Sequence, residues 1–272
     1  MTHPRLAFIG GGNMAGAIVS GLVRSGWPGA SISVVEPGAE QRERIAALQP
    51  GLRVLAAADA SLAAADIVVW AVKPQSFAQA AAPCAAFVGA ALHLSVMAGI
   101  RSQAIVQAAG SQRVVRAMPN TPALIGQGIA GLFARPEVNA AERAAVERVL
   151  APTGATLWVG RESDLDAVTA LSGSGPAYVF YFIEAMIDAA EQMGLTREQG
   201  RRLAEATFAG ATALAMQSDE SPATLRERVT SKGGTTFAAL ESMRADRLQE
   251  SIVRALRAAE RRARELGDEF GS

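Results

Sequence analysis

Seven residues, Thr230-Ser231-Lys232-Gly233-Gly234-Thr235-Thr236, bring four hydroxyls, a lysine and two adjacent glycines together between two helical patterns. Glycine has no Cβ, so the backbone there can approach a ligand closely. Hydroxyls and free N–H groups at the start of a helix form an anion site. Ser231, Gly233, Gly234, Thr235 and Thr236 are therefore candidates to hold a small carboxylate. A plain helix cap followed by a loop would use the same residue types, so this segment does not decide its role alone. A second cluster, Leu171-Ser172-Gly173-Ser174-Gly175-Pro176-Ala177-Tyr178, opens an apolar helical run. Pro176 suits a first helical turn. The N–H groups of Ser174 and Gly175 could face a ligand, or the segment could be a structural cap.

Phosphate chemistry is written at the other end of the chain. Leu6-Ala7-Phe8-Ile9 is a short strand-like run, followed at once by Gly10-Gly11-Gly12-Asn13-Met14-Ala15-Gly16. Ala17, Ile18, Gly21 and Leu22 then continue at helical spacing. Strand, glycine turn and helix are the context that the G-x-G-x-x-G/A dinucleotide fingerprint requires. Gly10 would make the tight turn, Gly12 would admit the pyrophosphate, and Ala15 would allow helix and strand to pack closely. Asn13 and Met14 lie between them in the same cofactor-binding turn. A second strand, Ile32-Ser33-Val34-Val35, ends in Glu36, about 20 residues beyond the glycines, where an acid binds the ribose.

These groups need a scaffold, and its pattern is an alternation of strands and helices. Asp66 to Val72 is a near-continuous apolar run, as in a parallel strand buried on both faces. Ala91 to Val96 and Arg113 to Ala117 are two more strand candidates, and helical patterns lie around Gln41 to Leu48, Ser76 to Val88 and Gln103 to Ala108. The alternation implies a doubly wound parallel sheet. Ligands bind such sheets beyond the carboxyl ends of the strands. Ala71-Val72-Lys73-Pro74-Gln75, Met97-Ala98-Gly99 and Met118-Pro119-Asn120-Thr121-Pro122 fall there and are candidates to line the nicotinamide half of a cofactor. Gly126 to Trp158 adds an edge strand, a helix over Glu142 to Leu150 and a last strand.

From Ser163 onward the chain reads as helix after helix. Residues 1–162 are expected to form the dinucleotide-binding domain, and 163–272 a helical domain. Tyr178 to Met193 is apolar nearly all round, which fits either a helix buried by a partner subunit or the core of a single-chain domain. Thr196 to Met216 is a long helix with capping candidates Thr196, Glu198 and Gln199, and Gly194 stops the helix before it. Pro222 opens a short helix to Val229, and Phe237 to Met243 continues after the glycine turn. Ile252, Leu256, Ala259, Ala263 and Leu266 then repeat at helical spacing.

Composition removes several classes of function. Among 272 residues, 26 Lys+Arg balance 26 Asp+Glu, which argues against a nucleic-acid or membrane surface. Tyr178 to Ile187 is too short for a membrane span and is broken by Glu184. The two histidines, His3 and His93, and the one cysteine, Cys84, offer no metal cluster, so no metal is expected. A single cysteine fits a reducing cytoplasm. Met1-Thr2-His3-Pro4-Arg5 runs straight into a strand and does not read as a signal peptide, so a cytoplasmic location is expected.

The glycine fingerprint, Ala71-Val72-Lys73-Pro74, Met118-Pro119-Asn120-Thr121-Pro122, Ser172-Gly173-Ser174-Gly175-Pro176-Ala177-Tyr178 and Thr230-Ser231-Lys232-Gly233-Gly234-Thr235-Thr236 occur in that order. Together they resemble pyrroline-5-carboxylate reductase, from Leu6 to Arg262. One departure is Lys232, where many members carry proline. The resemblance implies an N-terminal Rossmann domain and an all-helical C-terminal domain that dimerises by interleaving helices, with dimers often assembling to decamers. It implies an active site shared between the cofactor domain and helical-domain residues, with a contribution from the neighbouring subunit. Residues Ser231 to Thr236 would grip the substrate carboxylate and Thr236 would reach the ring nitrogen. Lys73 would sit near the site and pair with an acid before Pro222, Asp219.

The implied reaction reduces 1-pyrroline-5-carboxylate to L-proline, the last step of proline biosynthesis, with NADPH or NADH. No histidine is placed to act as general acid. A pre-protonated iminium, or a proton relayed through water, is the simpler expectation, with Thr236 as hydrogen-bond partner. Glu36 favours NADH, whereas Arg42 or Arg44 could reach the extra phosphate of NADPH. Rival readings are a 6-phosphogluconate or β-hydroxyacid dehydrogenase type of enzyme, which needs a lysine on a core helix, and a non-catalytic dinucleotide sensor, which needs no carboxylate cradle.

Overall fold

The protein is described here by a computed structural model covering residues 3–270. The signal-peptide reading rests partly on Met1 and Thr2, which lie outside the described residues. In chain order the elements are β1 (Leu6–Ile9), α1 (Asn13–Arg24), β2 (Ile32–Val35), α2 (Ala39–Ala46), β3 (Arg53–Leu55), β4 (Ile67–Trp70), α3 (Phe77–Ala81), α4 (Ala85–Val88), β5 (Leu92–Ser95), α5 (Ser102–Ala109), β6 (Val114–Met118) and β7 (Gly128–Ala134). They continue with α6 (Ala140–Leu150), β8 (Gly154–Trp158), α7 (Asp164–Val168), α8 (Gly175–Gln192), α9 (Arg197–Met216), α10 (Pro222–Arg228), α11 (Thr235–Ala245) and α12 (Leu248–Phe270). Two compact units result. One holds the residues up to Ser174 and the end of α12 from Ala259; the other is Gly175–Ala258. The expected boundary at 162/163 falls just ahead of α7.

In the first unit the strands form one eight-stranded sheet in the order β3-β2-β1-β4-β5-β6-β7-β8. All pairs are parallel except β6 with β7. Residues alternate between the two faces of a strand. Leu6 and Phe8 therefore join one core cluster with Ile18, Val34 and Val69, while Ala7 and Ile9 join another with Val68 and Trp70. Burial on both faces is why β1 and β4 read as continuous apolar runs. The reversal of order between β1 and β4 is the switch point where such a sheet binds its ligand.

Three expectations need correction. β3 was not foreseen: its three residues pair with β2 at the sheet edge, too short for a periodic signal. The Ser76 to Val88 helix is two helices, because Pro83 lacks an N–H and its ring clashes with the preceding turn. The strand foreseen to Val72 ends at Trp70, which frees Ala71 and Val72 to turn across the sheet end.

In the second unit α9 lies against α8 with Gly200 over Ala190 and Ile187, where a Cβ on Gly200 would come within 2.7 Å of the Ala190 Cβ. Thr196 and Gln199 cap α9 reciprocally, as expected. Gly194, at φ +89°, ends α8 in the left-handed conformation. The apolar helix is not buried within its own unit: Phe180 and Tyr181 on α8 are 60% and 72% exposed. The reading of α8 as the core of a single-chain domain fails on this exposure.

Candidate active site

The glycine turn between β1 and α1 is closed by backbone. Gly10 donates its N–H to Val35 O at 2.8 Å and has φ +98°. A Cβ on Gly10 would lie 2.7 Å from Ala71 O, so no larger residue fits between β1 and the end of β4. Gly12 is the opposite case: nothing lies within 4 Å of the position its Cβ would take. It caps α1 with no side-chain hydrogen bond and no acid follows in the first turn. The leading N–H groups of a twelve-residue helix thus face open space, a fit for a pyrophosphate. Asn13 is exposed beside Gly12, Met14 packs against the core, and Ala15, on the inner face of α1, is buried in it. Asn13 and Gly12 also border a groove of about 230 Å³ with Arg24, Gln41 and Arg44 on its walls.

Glu36 does not turn away from this turn. Its carboxylate accepts the Gly11 N–H and the Gly38 N–H, both at 2.8 Å. Gln41, a residue the sequence reading passed over, donates its side-chain amide to Gly11 O. Arg42 donates to the carbonyls of Glu36 and Pro37 at 3.0 and 2.6 Å, and Arg44 donates to Gln41 at 3.3 Å. The acid is therefore held against the glycine turn with its side chain fixed, while Arg42 braces the backbone behind it.

Beyond the ends of β4, β5 and β6 the expected residues gather in the order foreseen. Lys73 is exposed and heads the single turn Pro74–Ser76. Asn120 is more committed than the sequence suggested. It donates its side-chain N–H to Ser172 O at 3.2 Å and accepts the Ile129 N–H at 3.0 Å. Its first task is thus to tie the β6 loop to the segment ahead of α8. Thr121 is exposed at the start of the next turn.

The Ser-Gly-Ser-Gly cluster is not a simple helix cap. Thr169–Gly173 forms a wide π-type turn between α7 and α8, and Ser174 donates its N–H to Thr169 O at 2.8 Å. This corrects the expectation that the Ser174 N–H faces a ligand. Its hydroxyl, and Gly175 at the start of α8, remain the candidate contacts.

The Thr-Ser-Lys-Gly-Gly turn is more open. Gly233 has φ +75°, and Gly234 donates to Ser231 O at 3.0 Å. Gly234 is the cap residue of α11, without a side-chain cap and with no acid in the first turn. Thr235 and Thr236 begin that helix, and the Ser231 hydroxyl lies over Gly234, 2.6 Å from where a Cβ would be. Of the four hydroxyls, Thr230 alone is spent, donating to Arg226 O at 2.6 Å. Three hydroxyls and an uncapped helix start are thus left together, the donor set that an anion would need.

A polar network under the β5 loop was missed. Glu162 accepts the Ser102 N–H at 2.6 Å, the Ser102 hydroxyl at 2.7 Å and Arg116 Nη1 at 2.9 Å. Arg101 grips Asp166 with two nitrogens, each at 3.1 Å. Burial alone would raise the Glu162 carboxyl, but the bonds from Ser102 and the charge of Arg116 outweigh it and hold it below the usual range. The signal was Arg116, a charge inside the apolar run Val114-Val115-Arg116-Ala117: a buried charge needs a partner.

The helical half and the C-terminal turn match the model for pyrroline-5-carboxylate reductase dimerisation over residues 162–266. Residues 5–99 match the model for NADP oxidoreductase, coenzyme F420-dependent. A pyrroline-5-carboxylate reductase from Pseudomonas aeruginosa is 44% identical over 275 residues, covering 100% of both chains. The chain belongs to the pyrroline-5-carboxylate reductase family. A Coxiella burnetii pyrroline-5-carboxylate reductase structure superposes with TM-score 0.91 at 35% identity, covering 97% of this chain and 99% of that one. The Plasmodium falciparum pyrroline carboxylate reductase, solved with NADP bound, superposes with TM-score 0.85 at 27% identity, covering 98% and 99%.

As a member of this family the protein is an oxidoreductase of proline biosynthesis. It reduces 1-pyrroline-5-carboxylate to L-proline with NADPH or NADH as hydride donor. Its helical half is a dimerisation domain, so the protein is an oligomer. Among the described residues no helix is long and apolar enough to cross a membrane.

Proposed function

We propose that the two glycine turns divide the reaction between them, residues 1–162 serving the nucleotide and 163–272 the substrate and the dimer. When bound, the reduced nicotinamide supplies the hydride that the imine carbon accepts. Gly10, Gly12, Asn13, Met14 and Ala15 receive the dinucleotide at the start of α1. Glu36 takes the ribose, and Ala71, Val72, Lys73, Pro74, Asn120 and Thr121 bound the nicotinamide end. Ser231, Gly233, Gly234 and Thr235 hold the substrate carboxylate, and the hydroxyl of Ser174 and the backbone of Gly175 complete its enclosure. Thr236 hydrogen-bonds the ring nitrogen, whose proton comes with the iminium or through water. A threonine hydroxyl is too weak an acid to supply it. Lys73 adds positive charge near the carboxylate and pairs with Asp219. Rate enhancement then comes mainly from holding the two reactants in near-attack geometry.

The observation that carries this reading is the uncapped start of α11, where Gly234 leaves the first turn's N–H groups and the hydroxyls of Thr235 and Thr236 free of a protein cap. The working molecule is a homodimer that assembles further to a decamer, in the cytoplasm. Oxidation of NADPH and of NADH, measured side by side with pyrroline-5-carboxylate supplied, is the direct test. Proline formed with either nucleotide is expected, and folded protein that binds nucleotide yet forms none would overturn the assignment of roles.

A further inference from the structure

The β5 loop, Val96 to Arg101, lies beyond the carboxyl end of a strand next to the switch point, where sheets of this kind bind their ligands. Met97 and Ile100 bury their side chains beneath it, and Gly99 turns it at φ +75°. Nothing local fixes where this loop ends: Arg101 caps α5 without a side-chain hydrogen bond. The fixing group comes from 60 residues away. Glu162 takes the N–H of Ser102 on one oxygen and its hydroxyl on the other. A carboxylate at a helix start both satisfies free N–H groups and complements the helix dipole. Glu162 is itself held by Arg116, which is 5% exposed in the interior strand β6. One residue earlier Arg101 clamps Asp166 bidentately, and Gly267 of α12 leaves room for that guanidinium, since a Cβ there would meet it at 2.4–2.7 Å.

Such an arrangement exceeds what stability asks. Ordinary Ser or Asp at the cap position would satisfy α5 locally. A cap brought from another element sets a position relative to that element and to the sheet.

We propose that Glu162, anchored by Arg116, is a positioning residue for hydride transfer: through Ser102 it sets the height of the β5 loop against the nicotinamide. The proposal rests on the reading that this loop bounds the nicotinamide end. Glu162→Gln keeps one acceptor oxygen, turns the other into an amide donor and strips Arg116 of its counter-charge, so its folding suffers. Ser102→Ala keeps the Glu162–Arg116 pair and the backbone bond to Glu162; it loses the hydroxyl's bond to Glu162 and the long one it accepts from Arg135 at 3.4 Å, and is the sharper variant.

The test has two readouts. In nucleotide-free protein, hydrogen–deuterium exchange of amides 97–102 should accelerate in Ser102→Ala while exchange in β1 and β4 is unchanged. In steady state kcat should fall about tenfold, with KM for the nucleotide changed less than twofold, because small misplacements of reacting atoms cost rate rather than binding. The deuterium isotope effect with nucleotide labelled at the transferred C4 position should rise as hydride transfer becomes slower than product release. A folded Ser102→Ala protein with parental loop exchange, or with parental kcat and isotope effect, overturns the proposal. Turnover of the parent protein is the reference, so a silent parent would count against the reductase roles instead.

Discussion

The two units of this chain solve the burial of apolar surface in opposite ways. In the sheet unit, Trp70, Phe8, Ile18 and Leu94 are fully buried by their own neighbours. In the helical unit, Tyr181, Leu203, Leu214 and Met216 stand in solvent, Met216 at 83% exposure. Fully burying one such side chain is worth about 1.5–3 kcal/mol, so leaving a row of them bare is sustainable only with a partner. The sheet unit is thus finished on its own, whereas the helical unit is half of something. In a two-fold dimer each exposed residue is used twice, which doubles the effect of any change there.

The largest expected effect breaks that asymmetry directly. Phe180→Asp places a charge on the exposed face of α8. Light scattering should find monomers, turnover should fall at least about 100-fold, and nucleotide affinity should stay within about threefold, because the sheet unit folds on its own core. A fully active dimer from this variant would show that α8 does not meet its partner.

The sheet unit carries its own weakness, and it is acid. His93 is fully buried and accepts the Trp70 Nε1–H at 3.1 Å. Burial, and after it the charge of Arg113, pushes its pKa down from 6.5 to about 4. Between those values the unfolded chain binds a proton that the folded protein refuses. Stability is therefore whole above pH 6.5 and is lost progressively as pH falls toward 4, by about 3 kcal/mol in all. The depressed Glu162 carboxyl adds a loss in the same direction, below the ordinary carboxylate range. His93→Gln, which keeps an acceptor for Trp70, should flatten the dependence of Tm on pH between 6.5 and 4.5; an unchanged slope would put the acid sensitivity elsewhere.

The contrast also explains what could be read in advance. Strands β1 and β4 were legible because each is buried on both faces and writes an unbroken apolar run, and β2, β5 and β6 because short runs of Val, Ile and Leu persist around Ser33, His93, Ser95 and Arg116. β3 was not, because three residues at an edge carry no period. The open, uncapped helix start at the Thr-Ser-Lys-Gly-Gly turn was legible, since Ser, Thr and Gly at a helix start are local signals. The π-type turn at Thr169–Gly173 was not: the same Ser and Gly cues that suggest a cap are absorbed inside a continuous helical path, and only the hydrogen bond from Ser174 to Thr169 distinguishes them. The bonds of Glu162 to Ser102 and Arg116 span 60 and 46 residues, beyond any local pattern, although Arg116 in an apolar strand was a visible clue.

The proposed division gives each unit one turn in the chemistry, and a single substitution in each should separate their roles. Thr236→Ala removes one hydroxyl from the first turn of α11 and leaves the sheet unit untouched. Turnover should fall about 10- to 100-fold, the cost of a hydrogen bond to a charged ring nitrogen, with nucleotide affinity unchanged. Equal losses in turnover and in nucleotide affinity would show that the hydroxyl serves the cofactor instead.

The smallest effect lies in the other turn. Glu36 is pinned by Gly11 and Gly38, so it cannot swing aside for a 2′-phosphate. Its carboxylate can still accept from hydroxyl donors, and its charge opposes a phosphate. Arg42, which might have supplied the opposite charge, is spent on the carbonyls of Glu36 and Pro37. Within a family whose Plasmodium falciparum member was solved with NADP, this chain should favour NADH. Glu36→Ser removes the charge while keeping a hydrogen-bonding side chain. It should shift the ratio of kcat/KM for NADPH over NADH upward by about tenfold, the value of one unfavourable charge contact near the surface. A parent enzyme that already prefers NADPH, with no shift on substitution, would mean that the ribose lies away from Glu36 and toward the Arg44 side of the groove along α1.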